Sequence, residues 1–287
     1  MFMNIQELRD LTQKEKLEGR SRPWGYRTLQ RGPSIYITRA LLPTRIHQDA
    51  VTAAGIVLGM LGALLLTQLS VTLKLAGLFL VYLNILSDKV DGELARARGT
   101  HSLKGIFLDE LNHLIVPPLV FAGLAYGLLE TAGIEQAFLA LAILVGPIAL
   151  ATTRAMHNII PALYTKKLLK GDNRFSDAFA SAQTGADVTQ TNAETTTRTL
   201  PIVLLPIRML HQFQDLLVFI LTIAILLIID SVRASTPYIS LSIYPYTGYA
   251  TIFFAALYAL IVIENAIKGY RSIEKKMSQI AARTKSS

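Results

Sequence analysis

Six long apolar runs, separated by short polar or charged stretches, constrain this chain more than any other feature. The first runs from about Gln48 to Leu69. The second starts near Leu75 and ends in an acidic stretch that begins at Asp88. The third follows Gly105 and continues through LIVPPLVFAGLAYGLL, where Pro117 and Pro118 are expected to kink it, as a membrane bundle tolerates. The fourth covers about Ile134 to Thr153. The fifth covers Leu216 to Ile229, or starts as early as Leu200 with breaks at Pro201 and Pro206. The sixth covers Tyr246 to Ile267. A membrane-spanning helix needs ~20 apolar residues, and each run reaches that length when its polar flanks are included. The chain is 52% hydrophobic, little above a soluble average, so the distribution of apolar residues decides the class. The expected fold is all-α: a polytopic membrane protein with six transmembrane helices.

Lys and Arg crowd the arm before the first run, the segment from Arg96 to Lys104, the segment from Arg154 to Arg208 and the tail after Lys268. The opposite loops hold only Lys74 and Arg233. By the positive-inside rule, both termini and the acidic stretch are expected in the cytoplasm, where soluble nucleotides are. The same bias accounts for the net charge of +8, so nucleic acid is not an expected partner. Within the arm, PSIYITRALL carries Ile35, Ile37 and Leu41 or Leu42 at near-helical spacing, bounded by Pro33 and Pro43. It reads as an amphipathic helix lying in the membrane interface, or as one packed on the domain. Trp24 and Tyr26 are either interface anchors or ordinary packing residues. The expected organisation is an arm with the interfacial helix over 1–45, a six-helix catalytic domain over 46–270 and a cytoplasmic tail over 271–287. The polar stretch from Lys166 to Arg198 reads as a loop, partly helical or disordered. The first residues lack an apolar h-region, so no cleaved signal peptide is expected. With no cysteine, disulfides, thiolate nucleophiles and Cys-zinc sites are excluded.

The stretch from Asp88 to His113, DKVDGELARARGTHSLKGIFLDELNH, carries the chemistry. Acids at the edge of a membrane segment are costly and point to function. Asp88 and Asp91 share one helical face. Asp109 and His113 share a face of the next helix. Converging carboxylates repel one another and need either a divalent cation or a salt-bridge network with Arg96, Arg98 and Lys104. Oxygen ligands suit Mg²⁺ or Mn²⁺. Gly92 costs ~1 kcal/mol inside a helix, which argues that something approaches its backbone closely. Ala95 leaves the same face open. Arg96 offers a fork suited to phosphate. Gly105 either ends the crossing segment or admits a ligand. Asn84, one turn before Asp88, either supports that carboxylate or makes a bundle hydrogen bond. Glu93 and Glu110 point to other faces, solvated or salt-bridged. Asp49 suits the first turn of its helix. Arg39, Arg154 and Arg208 sit near the cytoplasmic ends and either bind an acceptor phosphate or snorkel to the interface.

The stretch resembles the signature of the CDP-alcohol phosphatidyltransferase family, D-x2-D-G-x2-A-R-x8-G-x3-D-x3-D. Asp88, Asp91, Gly92, Ala95, Arg96, Gly105 and Asp109 fall on it at the right spacings. The resemblance implies a membrane transferase that moves a phosphatidyl or phospho-alcohol group from a CDP-linked donor to an alcohol acceptor and releases CMP. It implies that Asp88, Asp91 and Asp109 hold Mg²⁺ or Mn²⁺, that Gly92, Ala95, Arg96 and Gly105 serve the nucleotide, and that the protein is a homodimer. The last position departs from the pattern, with His113 where the family usually has a fourth aspartate acting as base. His113 is the base in its place, or a structural or metal-binding substitute, or the mark of an inactive member. The alternative functions are a cation-coupled transporter and an inactive scaffold of the same family. A transporter gives no reason for Gly92, Ala95 and Gly105 at these spacings.

Overall fold

The structure, a computed structural model, describes residues 4–17, 25–100, 102–129, 136–169, 215–234 and 245–284. All regular elements among the described residues are helical. The arm forms α1 (Ile5–Thr12), the short α2 (Lys14–Leu17), a π-helical turn (Tyr26–Gln30) and α3 (Arg31–Leu41). The long helices are α4 (Gln48–Leu66), α5 (Val71–Arg98), α6 (Leu103–Leu128), α7 (Gln136–Leu169), α8 (Leu216–Ala234) and α9 (Pro245–Thr284). Each of these six contains a segment long and apolar enough to cross a membrane, so the chain is an integral membrane protein. In α7 that segment is Gln136–Met156 and in α9 it is Pro245–Lys268.

The helix ends follow from local chemistry. In α1, Asn4 and Glu7 make a capping box. Pro33 lies in the first turn of α3, where its missing N–H is harmless, and Pro43 follows the helix end. Gly99 ends α5 with φ of 65°, in the left-handed region that favours glycine. Ser102 then caps α6 by accepting from the Gly105 N–H at 2.9 Å. Gly105 therefore lies in the first turn of α6 and does not end the crossing segment, which runs from Gly99 to Ser102. Pro117 and Pro118 sit inside α6, which continues through both. An earlier start for the fifth run, at Leu200, lies outside the described residues, as does most of the stretch from Lys166 to Arg198. The tail extends α9 as far as Thr284.

The chain divides into two compact units, residues 1–151 with 208–259 and residues 152–207 with 260–287. In the first, α4 is wedged against α5 and α6 by small residues. A Cβ on Gly62 would lie 2.7 Å from the Gly77 carbonyl, and one on Gly123 would lie 2.3 Å from the Ala63 carbonyl. Such contacts let membrane helices pack backbone to backbone. Asn84 Nδ2 donates to Gly55 O at 2.9 Å and to Asn112 Oδ1 at 2.8 Å, so it joins α4, α5 and α6 and leaves Asp88 alone. At the far end from the arm, the buried Lys74 ammonium donates to the carbonyls of Leu66, Gln68 and Gly127. It thereby satisfies carbonyls that helix ends leave unpaired. Phe121, Phe219, Phe254 and Tyr258 fill the core between α6, α8 and α9. Buried Asp230 caps the start of α9 by accepting from the N–H and hydroxyl of Thr247. The second unit holds the ends of α7 and α9, with Lys268 paired to Glu264 one turn away.

Candidate active site

The turn between α5 and α6 brings the acidic stretch back on itself beside the start of α4. Gln48 Nε2 donates to Thr100 O at 2.6 Å and Gln48 Oε1 accepts from Thr100 Oγ1 at 3.1 Å. Arg98 closes the same end. It donates to the carbonyls of Leu41, Leu42 and Thr44 behind α3 and to Ile46 O before α4. These bonds put the arm, the start of α4 and the α5–α6 turn at one end of the bundle. There they border a cleft of about 270 Å³.

All seven residues of the signature line this cleft: Asp88, Asp91, Gly92, Ala95, Arg96, Gly105 and Asp109. Asp88 is nearly buried and pairs with its neighbour Lys89. Asp91 Oδ2 accepts from Thr52 Oγ1 of α4 at 2.6 Å. His113 Nε2 lies 3.5 Å from Asp88 Oδ1 and 3.5 Å from Asp109 Oδ1. Asp88, Asp109 and His113 each bring one ligand atom to within 4.8 Å of the others. Two carboxylates and one imidazole, converging with no thiolate, fit a divalent cation. The salt-bridge alternative is only partly realised. Arg98 is spent on carbonyls, and Arg96 Nε donates to Thr12 O of α1 at 2.7 Å. The Arg96 guanidinium lies over Gly92, where a Cβ would sit 3.3 Å from its Nη1.

Several cleft residues carry no signal in the signature. Gln48, Asp49 and Thr52 come from the first turns of α4, and Arg31 from the start of α3. Asp49, expected only to complement its helix dipole, points a buried Oδ1 without a hydrogen-bond partner toward Gly105, whose Cβ position is 3.2 Å away. The three-residue spacing of Asp49 and Thr52 at the head of an apolar run was the available signal, since it puts both on one face. Glu93 is fully buried and ion-paired to Arg31 at 2.8 Å; the salt-bridged expectation holds and the solvated one does not. Burial works against the Arg31 charge, but Tyr26 and Glu93 outweigh it and raise the guanidinium above its ordinary value. Tyr26 is a packing residue: it is buried, and its hydroxyl accepts from Arg31 Nε at 3.1 Å. Trp24 lies outside the described residues. Arg39 is on α3 and does not line the cleft. Arg154 belongs to the second unit, and Arg208 lies outside the described residues.

An acidic cleft at the end of a membrane helix bundle, beside a cluster of two carboxylates and an imidazole that could hold a divalent cation, is the candidate site. A model of the CDP-alcohol phosphatidyltransferase family matches residues 46–268, and the chain belongs to this family. It is thus a membrane enzyme of the CDP-alcohol phosphotransferase type. Comparison with curated proteins gives no match.

Proposed function

We propose that the protein transfers a phosphatidyl or phospho-alcohol group from a CDP-linked lipid or alcohol donor to an alcohol acceptor and releases CMP. The observation that carries this reading is that the seven signature residues, drawn from two consecutive helices, line one cleft. In this reading Asp88, Asp91 and Asp109 hold Mg²⁺ or Mn²⁺. Such an ion, when bound, neutralises diphosphate charge and polarises phosphorus. Arg96 holds donor phosphate through its guanidinium. Gly92, Ala95 and Gly105 keep the cleft wall low enough for the nucleotide. His113 takes the proton of the acceptor hydroxyl, whose oxygen bonds to the phosphorus beside the donor's lipid or alcohol group as the bond to the CMP oxygen breaks. The concentration of Lys and Arg at the arm, the α5–α6 turn and the tail supports a cytoplasmic cleft and termini. A homodimer belongs to the same proposal and is supported by family membership alone.

A second role for His113 is favoured by its distances. With Nε2 3.5 Å from both Asp88 and Asp109, the imidazole suits a third ligand position, while Asp91 already accepts from Thr52. A ligand nitrogen cannot also accept the acceptor's proton, so the two roles are separable by experiment.

The test of the function is incubation of the purified protein with labelled CDP-diacylglycerol and a panel of alcohols, with products identified by mass spectrometry. A new phosphodiester and one CMP per turnover are expected with at least one alcohol. Absence of turnover with CDP-diacylglycerol and with small CDP-alcohols, despite CDP binding, would leave the scaffold reading in its place.

A further inference from the structure

The N-terminal arm is built into the cleft through one carboxylate. Glu93 directly follows Gly92 on α5 and is fully buried. Its Oε1 accepts from Gln13 Nε2 at 2.8 Å, Arg31 Nη1 at 2.8 Å and Ser34 Oγ at 2.7 Å. Its Oε2 accepts from Thr38 Oγ1 at 2.7 Å. All four donors belong to the arm. Gln13 Nε2 also donates to Arg31 O at 2.9 Å, which fixes the backbone from which the Arg31 side chain leaves.

The charge at Glu93 needs an explanation. A buried ion pair gives no dependable stability, because the desolvation of both charges offsets their attraction. Three neutral donors and an uncharged acceptor could hold the arm on α5 without it. What the pair adds is a guanidinium held in one orientation at the cleft wall. Arg31 lines the cleft, and its Nε and Nη1 are engaged by Tyr26 and Glu93. Nη2 is the edge that remains for a ligand. Arg96 lines the same cleft, is fixed through Nε to Thr12 O, and has a buried Nη2 without a hydrogen-bond partner. Two guanidinium groups, each anchored through one edge and free at another, therefore border a cleft that also holds Asp88, Asp91 and Asp109. Planar donors of this kind match phosphate oxygens. Two of them suit two adjacent phosphates better than one.

We infer that Arg31 is a second diphosphate-binding residue, presented to the cleft by the N-terminal arm, and that Glu93 is the positioning residue that sets its guanidinium. The inference rests on the cleft being the CDP site. The arm is then part of the binding site as well as a segment packed on α5.

The test is calorimetric titration of the full-length protein in detergent with CDP in the presence of Mn²⁺, alongside the melting temperature of each ligand-free variant. Arg31→Ala removes a charge-assisted contact and should weaken CDP binding on the order of 10- to 100-fold. Arg31→Lys keeps the cation but loses the fork, and should fall between Arg31→Ala and wild type. Glu93→Gln removes the charge that holds Arg31 and keeps one acceptor oxygen in place of two, and should weaken CDP binding about as much as Arg31→Lys, by more than its loss of melting temperature accounts for. If Arg31→Ala does not fold, Arg31→Lys decides. Wild-type affinity for CDP in a folded Arg31 variant overturns the inference and leaves the CDP site standing. Failure of the wild type to bind CDP overturns the site reading itself. Weakened binding only in proportion to lost thermal stability makes Glu93 a structural anchor and overturns its positioning role.

Discussion

The hydroxyl of Thr52 offers a sensitive probe of the site, because it touches the signature from a helix outside it. Thr52 is 4% exposed, and its Oγ1 donates to Asp91 Oδ2 at 2.6 Å. The Gln48 carbonyl, 3.2 Å away, is the weaker alternative acceptor for the same proton. Thr52→Val keeps the shape of the side chain and removes the donor. A hydrogen bond to a charged group contributes about 1.5–3 kcal/mol, and Asp91 would lose that hold on its orientation. If Asp91 orientation sets the ion site, the loss appears as roughly a 10- to 150-fold fall in turnover at limiting Mn²⁺. Excess Mn²⁺ should recover part of it. The assay is release of CMP from CDP-diacylglycerol across a Mn²⁺ titration, with Thr52→Ser as the control that restores the hydroxyl. Unchanged turnover and unchanged Mn²⁺ half-saturation in a folded Thr52→Val protein would refute the reasoning that links α4 to the carboxylates.

Two further substitutions separate alternatives that remain. His113→Ala should cost ~10²–10⁴-fold in rate at saturating Mn²⁺ if His113 is the base. If it is a ligand, the half-saturation for Mn²⁺ rises instead and excess ion restores the rate; a variant unchanged in both would remove His113 from the site. Gly123→Leu would force side-chain atoms into the Ala63 carbonyl, 2.3 Å from the Cβ position, and should lower the melting temperature through overpacking that costs on the order of 3 kcal/mol. A variant that melts with the wild type would show that α4 and α6 need no such close approach.

The six spans were legible because apolar length is a strong, local signal. The helices α4 and α6 begin and end within a few residues of the expected limits, whereas α5 runs on through the acidic stretch to Arg98. Of the two roles open for Gly105, ending the crossing segment is excluded while lining the cleft is not, and the sequence could not separate them because a glycine with positive φ and a glycine in a first helical turn look alike. Only the cap by Ser102 and the left-handed Gly99 distinguish them. The signature residues were legible as a set, since their spacing over two helices fixes which faces they share. What they touch was not. Thr52, Asp49 and Arg31 reach the cleft from α4 and α3, and no short-range pattern reports a contact across 39 or 62 positions, the separations of Thr52 from Asp91 and of Arg31 from Glu93. Glu93 was ambiguous for the same reason. A charged residue on the back of a motif helix looks solvated until the segment that covers it is known. The small residues of α4 and α6 were likewise mute, because a glycine in an apolar run reads as a weak helix former until a neighbouring backbone is found against it.

The most direct test of the central claim is binding of CDP to the purified wild-type protein with and without divalent ion, repeated with Asp109→Asn. The account predicts binding in Mn²⁺, its loss in EDTA, and its loss in folded Asp109→Asn at the same Mn²⁺ concentration. Equal CDP affinity under all three conditions would contradict it.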